Sequence, residues 1–189
     1  MFKIVRTKIA KRTGRWSVTR QVRRLLRQED GAAAVEFSFV ALPFLALVFA
    51  IMETAIVFFA GQTLEAAVAD SARLIMTGQA QTQSLTQSTF KTQVCSKIYG
   101  LFDCAGGVYV DVQTYTSFAS VNVTSPVTSG TLQTSGFGYN PGGPGDIVVV
   151  RLYYQWPVYV SLLGLSLNDL SGNKRLLVAT AAFRNEPYQ

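Results

Sequence analysis

Residues 28–60 read QEDGAAAVEFSFVALPFLALVFAIMETAIVFFA, and the fold is decided here. Residues 37–52 contain no charged side chain, and TAIVFFA prolongs the run after Glu53. As one α-helix, residues 35–60 rise about 39 Å, against a hydrocarbon core of about 30 Å, so the segment can span a membrane with some tilt. The competing reading is the buried core helix of a soluble protein. That reading is disfavoured, because so little chain remains to wrap a helix apolar on every side.

The flanks set an orientation. Residues 1–30 carry ten Lys and Arg against Glu29 and Asp30, whereas the remaining residues carry seven basic and nine acidic side chains. The formal charge of +6 is therefore a basic tail on a slightly acidic body. Arg73 is the first positive charge after the span, so the positive-inside bias puts the N-terminus in the cytoplasm and the C-terminal part outside. Val18, Val22, Leu25 and Leu26 among the arginines suit a short basic amphipathic helix on anionic lipid. Lipid attraction and topology account for the charge, and nucleic-acid binding is not expected. The order of the junction also matters. A secretory signal places small residues after its apolar stretch; here Gly31, Ala32, Ala33 and Ala34 precede it.

Glu36 is the anomaly at this junction. An acidic side chain at the centre of a membrane helix costs about 2.5–3.5 kcal/mol on translocon scales, and less near the interface. Either it has a partner, or it lies near the headgroups, solvated or protonated.

The pattern Gly31-Ala-Ala-Ala-Val-Glu36-Phe37 resembles the prepilin-type processing site of TadE-like pseudopilins of Tad/Flp-type pili. The likeness continues through the helix to Gln62-x-Leu-Glu-x-Ala-x-x-x-x-Ala-Arg73 and returns at AAFRNEPY, residues 181–188. It is strong over residues 24–81, weaker over 145–188 and thin between. The resemblance implies cleavage after Gly31 by a prepilin peptidase and a new N-terminus at Ala32. It also implies an assembly contact at Glu36 and Phe37, with other pilins or pseudopilins and the Tad assembly platform as partners. Glu36 then stands one helical turn above the Ala32 ammonium, where it can pair with its own or a neighbouring amine. Two features depart from the pattern. The 31-residue leader is long, and Glu53 sits deep in the apolar run, either near the outer interface or paired with another subunit.

Beyond the span, Leu64, Ala67, Val68, Ser71, Ala72 and Ile75 recur at helical spacing on one stripe, with Glu65, Asp70 and Arg73 off it. Gly78 followed by QAQTQS is a stop signal. The spacing predicts one helix over 32–76, with Pro43 expected to kink it or open its hydrogen bonds locally. A second helix is expected over 85–102, with Phe90, Val94, Ile98 and Leu101 on one side. Strands are expected at 108–116, 146–155 and 176–184 from alternation and β-branched content. Between the first two strands, TSPVTSGTLQTSGFGYNPGGPG reads as a long irregular loop, exposed or in contact with a partner. Cys95 and Cys104, outside the membrane, read as a disulfide worth roughly 2–3 kcal/mol on the chain-entropy model; two buried thiols are the other reading.

The expected fold is thus α+β and pilin-like: one long transmembrane and stalk helix packed on a C-terminal antiparallel sheet domain with a second helix. The expected divisions are a basic cytoplasmic leader (1–31), the helix (32–78) and an extracytoplasmic head (79–189). The chain has no histidine, two cysteines without CxxC spacing, and no phosphate-binding Gly loop. Metal, cofactor and catalytic sites are accordingly not expected. A structural and assembly protein of the bacterial inner membrane is the leading expectation. An uncleaved single-pass anchor that binds an envelope ligand or acts as an adhesin is the alternative.

Overall fold

The computed structural model describes residues 29–98, 100, 102–122, 124–159 and 167–188. The basic leader with its amphipathic pattern, and Leu101 of the second helix, lie outside the described residues. The chain divides after Ala46.

Helix α1 runs Glu29–Met76, through Pro43, and so begins three residues before the expected start. In its part up to Ala46 the large apolar side chains are exposed on all sides, among them Phe37 at 73 % and Phe39 at 75 %. Exposure on every side is the signature of a helix made for an apolar surrounding. By length and composition this helix fits a membrane anchor.

From Leu47 onward the chain forms an α+β unit in which α1 changes character. Val57, Ala60, Leu64, Ala67, Val68, Ser71, Ala72 and Ile75 are all buried. The expected stripe is therefore the core face of the helix, and it begins two turns earlier than periodicity indicated. Gln62, Glu65, Asp70 and Arg73 occupy the exposed side.

The stripe packs on a three-stranded antiparallel sheet of β1 (Val108–Tyr115), β4 (Ile147–Pro157) and β5 (Lys174–Arg184), in the order β1-β4-β5. Each strand matches its expected position to within two residues. Val108, Val110 and Val112 of β1, alternate residues from Val148 to Trp156 of β4, and Leu177 and Ala179 of β5 face the helix in one core. β4 is the central strand and is also buried on its far face, where Val149 and Tyr153 lie.

Short elements fill the corners. Gly78 takes a left-handed conformation (φ 78°) that ends the long helix before α2 (Gln79–Thr82). The second main helix, α3, spans Gln87–Lys97 and is shorter than expected. It opens on a capping box at Thr86 and Thr89, and left-handed Gly100 (φ 67°) follows its end. Phe90, Val94 and Ile98 are nevertheless buried as anticipated. A single turn, α4 (Cys104–Gly107), is capped by the Asp103 carboxylate. Cys95 at the end of α3 and Cys104 at the start of α4 form the disulfide, with Cα atoms 5.7 Å apart.

The segment expected to be irregular is partly ordered. Residues Ser117–Ser120 form a capped 3-10 turn. Strands β2 (Val127–Thr128) and β3 (Thr131–Leu132) form a hairpin whose two turn residues, Ser129 and Gly130, both have positive φ. Positive φ at both positions is what a two-residue type I′ turn requires. Further on, Val112 N–H donates to Gly138 O at 2.9 Å and Asn140 N–H donates to Val112 O at 2.8 Å. The loop thereby pairs with the outer edge of β1 rather than leaving it open.

The contrast along α1 is directly measurable. Leu64→Ala should lower the unfolding free energy of the head by about 2–5 kcal/mol. Phe44→Ala should leave it within about 0.5 kcal/mol. Denaturant melts of the full chain in detergent, followed by near-UV circular dichroism, check both.

Candidate functional site

The expected processing and assembly residues cluster at the N-terminal end of α1. Gly31 is half-buried, while Ala32, Glu36 and Phe37 are exposed on successive turns. Among the described residues Glu36 has no hydrogen-bond or ion-pair partner. Its carboxylate is thus presented outward, with the Phe37 ring beside it.

Glu53 has a different environment. It lies on the buried face of α1, one turn before Val57, and is 8 % exposed. Its carboxylate accepts the Tyr159 backbone N–H at 2.5 Å, so the helix itself is tied to the end of β4. Of the two sequence readings for Glu53, pairing with another subunit is not needed to satisfy the carboxylate. The partner lies 106 residues away, beyond the reach of any local pattern.

The other end of the head is tied by the C-terminal motif. Glu186 N–H donates to Met76 O at 2.9 Å, satisfying a carbonyl at the end of α1. Asn185 N–H donates to Asp146 O at 2.8 Å, and Asn185 Nδ2 donates to Pro141 O and Gly143 O, both at 2.9 Å. Gln81 Nε2 donates to the same Pro141 carbonyl at 2.9 Å. The Tyr188 ring lies directly over Gly78, where any Cβ would collide with it. Arg-Asn-Glu-Pro-Tyr is therefore a clasp joining the helix end to the loop 141–146.

Sequence reading missed a polar pair on the far side of the sheet. Asp111 of β1 and Arg151 of β4 are directly opposite in register, with Nη1 and Oδ2 3.3 Å apart. Asp111 is buried, and its Oδ1 also accepts Gln113 Nε2 at 2.8 Å and Gly138 N–H at 3.0 Å. Arg151 Nη2 donates to Asn122 O, and the Phe137 ring stacks on Tyr153 at 4.7 Å. These contacts hold the long loop against the sheet. The available signal was one acid and one base at the centres of two strands otherwise rich in valine. Tyr139 packs its ring 5.4 Å from Phe90, and burial pushes its phenol up to about 12.

No cluster of three or more metal-ligating side chains occurs among the described residues. A groove of about 370 Å³ between α3 and the loop is lined by Gln87, Ser88, Lys91, Tyr109 and Phe137 and opens widely to solvent.

Residues 31–73 match the family model described as TadE-like protein. The match starts at Gly31 and covers Glu36, the apolar span and most of the buried stripe, but none of the sheet. No curated protein and no solved structure matches the chain.

Gly78→Ala should destabilise the head by at least about 1 kcal/mol, because its left-handed φ disfavours a side chain and the Tyr188 ring blocks it. Gly78→Ala should also release residues 185–188 to limited carboxypeptidase digestion. Adding Tyr188→Ala should remove the clash but not the backbone strain, so the double variant should recover only part of the loss.

Proposed function

We propose that the chain is a TadE-like pseudopilin, a structural and assembly protein of a Tad/Flp-type pilus with no catalytic activity of its own. It is made with a basic cytoplasmic leader, residues 1–31, and cut after Gly31 by a prepilin peptidase. It stays in the bacterial inner membrane through residues 32–78 with its head, residues 79–189, on the periplasmic side, and it works alongside other pilins or pseudopilins and the assembly platform.

The observation that carries this reading is the match over residues 31–73. It begins at the processing glycine and contains a carboxylate, Glu36, that is exposed and unpartnered among the described residues. Cleavage after Gly31 would place the Ala32 ammonium one turn below Glu36. In an apolar assembly, a carboxylate that meets a neighbour's ammonium fixes register more than it adds stability. Phe37 beside it, 73 % exposed, supplies apolar contact area at the same level. The run of ten basic residues before the span supports the inside orientation of the leader.

Intact mass of the protein recovered from cells tests the processing. A chain starting at Ala32 is expected when the peptidase is active, and a Met1 start when it is deleted. A Met1 start in both strains would favour an uncleaved anchor for an envelope ligand. Glu36→Val should leave membrane insertion intact and reduce recovery of partner subunits by pull-down at least several-fold. Undiminished recovery would remove the assembly role of Glu36.

A further inference from the structure

The two edges of the sheet are treated differently. On β1, the N–H and the carbonyl of Val112 both bond the loop at Gly138 and Asn140, so alternate residues of β1 face outward there and Asp111 and Gln113 face β4. Their partners Arg151 and Val149 face β1, which leaves Val150 and Leu152 to bond Ala181 and Ala179 of β5. The N–H and carbonyl groups of Val178, Thr180 and Ala182 consequently point away from the sheet. The same alternation explains why Leu176 N–H donates outward to Asp169 Oδ1 at 2.7 Å and why the Lys174 carbonyl accepts Leu170 N–H at 3.0 Å. Beyond those two bonds, nothing among the described residues pairs with the backbone of β5 on this side.

Proteins ordinarily blunt such an edge with a proline, a bulge, a charge or a covering loop. Between Leu176 and Phe183 β5 has none of these: it pairs with β4 without a bulge, and its sequence there is LLVATAAF. Val178 is 45 % exposed, and Thr180 and Ala182 are exposed as well. The charges lie only at the two ends. Lys174 and Arg175 open the strand, Arg184 closes it, and β5 contains no acidic residue. Their side chains bond neutral oxygens, on Gln155, Leu167 and Gly145, and form no ion pair among the described residues. A second copy's β5 would set cations against cations, which is unfavourable across a strand pair; an acid-ended strand would complement them.

We infer that the outer edge of β5 docks an extended strand of another protein, uncharged over its middle and acidic at its ends. Main-chain bonds to Val178, Thr180 and Ala182 hold it, and its acids meet Lys174 and Arg175 at one end and Arg184 at the other. The three-stranded sheet thereby gains a fourth strand. This contact depends neither on cleavage after Gly31 nor on Glu36.

Full-length protein in detergent is titrated with a synthetic peptide, Asp-Asp-Val-Thr-Val-Thr-Val-Glu-Asp, and with its counterpart carrying lysine in place of every acid. The acidic peptide should bind several-fold more tightly by fluorescence anisotropy. Amide exchange followed by NMR should slow several-fold at Val178, Thr180 and Ala182 and stay unchanged at Leu177, Ala179 and Ala181. No binding, equal binding of both peptides, or protection that does not alternate overturns the inference. Thr180→Pro removes an outward N–H without breaking the ladder to β4, and Val178→Lys with Ala182→Lys sets charges on the edge. Each should weaken binding several-fold with the near-UV circular dichroism of the parent; a folded variant that binds like the parent overturns the docking edge, and the lysine pair decides should the proline variant not fold. Sedimentation of the protein without peptide should show a monomer. A dimer abolished by the lysine pair would give the edge to a second copy and overturn the acid-ended partner. Intact mass at Ala32 or Met1 reads the processing separately, so either conclusion can fail alone.

Discussion

Burial of one face of α1, from Val57 to Ile75, is the interaction on which the head depends. The three strands are themselves too few to form a closed core. Their helix-facing side chains, Val150 and Leu152 among them, share one core of near-zero exposure with Leu64, Val68, Ala72 and Ile75 of α1 and Phe90 and Val94 of α3. Small residues at 60, 67 and 72 alternate with the larger Leu64, Val68 and Ile75 on this buried face. The same helix must meet a second demand before Glu53, where no sheet covers it. It does so by being apolar all round rather than on one face. Burial of one face begins at Glu53 and Val57, while the exposed face stays apolar through Phe58 and Phe59 and turns polar from Gln62.

The lengths of the parts are matched. Residues 53–76 of α1 rise about 35 Å as a helix, and the 11 residues of β4 span about 36 Å as a strand. One end of this pairing is closed by Glu53 and the Tyr159 N–H, and the other by Met76 O and the Glu186 N–H. β5 consequently runs in the same direction as the helix it packs on, and Glu186 lies beside the residue where the helix ends. The disulfide acts elsewhere, tying α3 to the turn before β1.

How much of this was legible depended on whether the deciding force was local. The buried stripe followed from helical spacing, and the three strands from alternation of valine, tyrosine and threonine, because each pattern reports which side of an element faces the core. The end of α3 was misplaced because the apolar spacing of Phe90, Val94 and Ile98 continues, whereas the backbone is already extended at Ile98 (φ −105°, ψ 97°) and the helix ends there. The order within the long loop was missed because it derives from contacts with Val112, Asp111 and Tyr153 on the sheet, not from periodicity in the loop. The role of Glu53 was undecidable for the same reason, its partner being a backbone N–H at Tyr159. The site at the N-terminal end of α1 has the reverse character. Gly31, Glu36 and Phe37 stand out in sequence by their order and spacing, while among the described residues they make no side-chain hydrogen bond or ion pair that would single them out.

Two stretches far apart in the sequence meet at one end of the sheet. Residues near Gly78 and residues 185–188 meet in the clasp, where Tyr188 covers a position that tolerates only glycine and Glu186 caps the helix. A change in either half strains the other. The segment between β1 and β4 lies on the far face of the sheet, held mainly by Asp111, Arg151 and Tyr153, and much of its sequence touches nothing in the core. The two carboxylates of the apolar helix divide along the same line. Glu53 is satisfied inside the chain and serves its architecture. Glu36 is exposed and has no hydrogen-bond or ion-pair partner among the described residues.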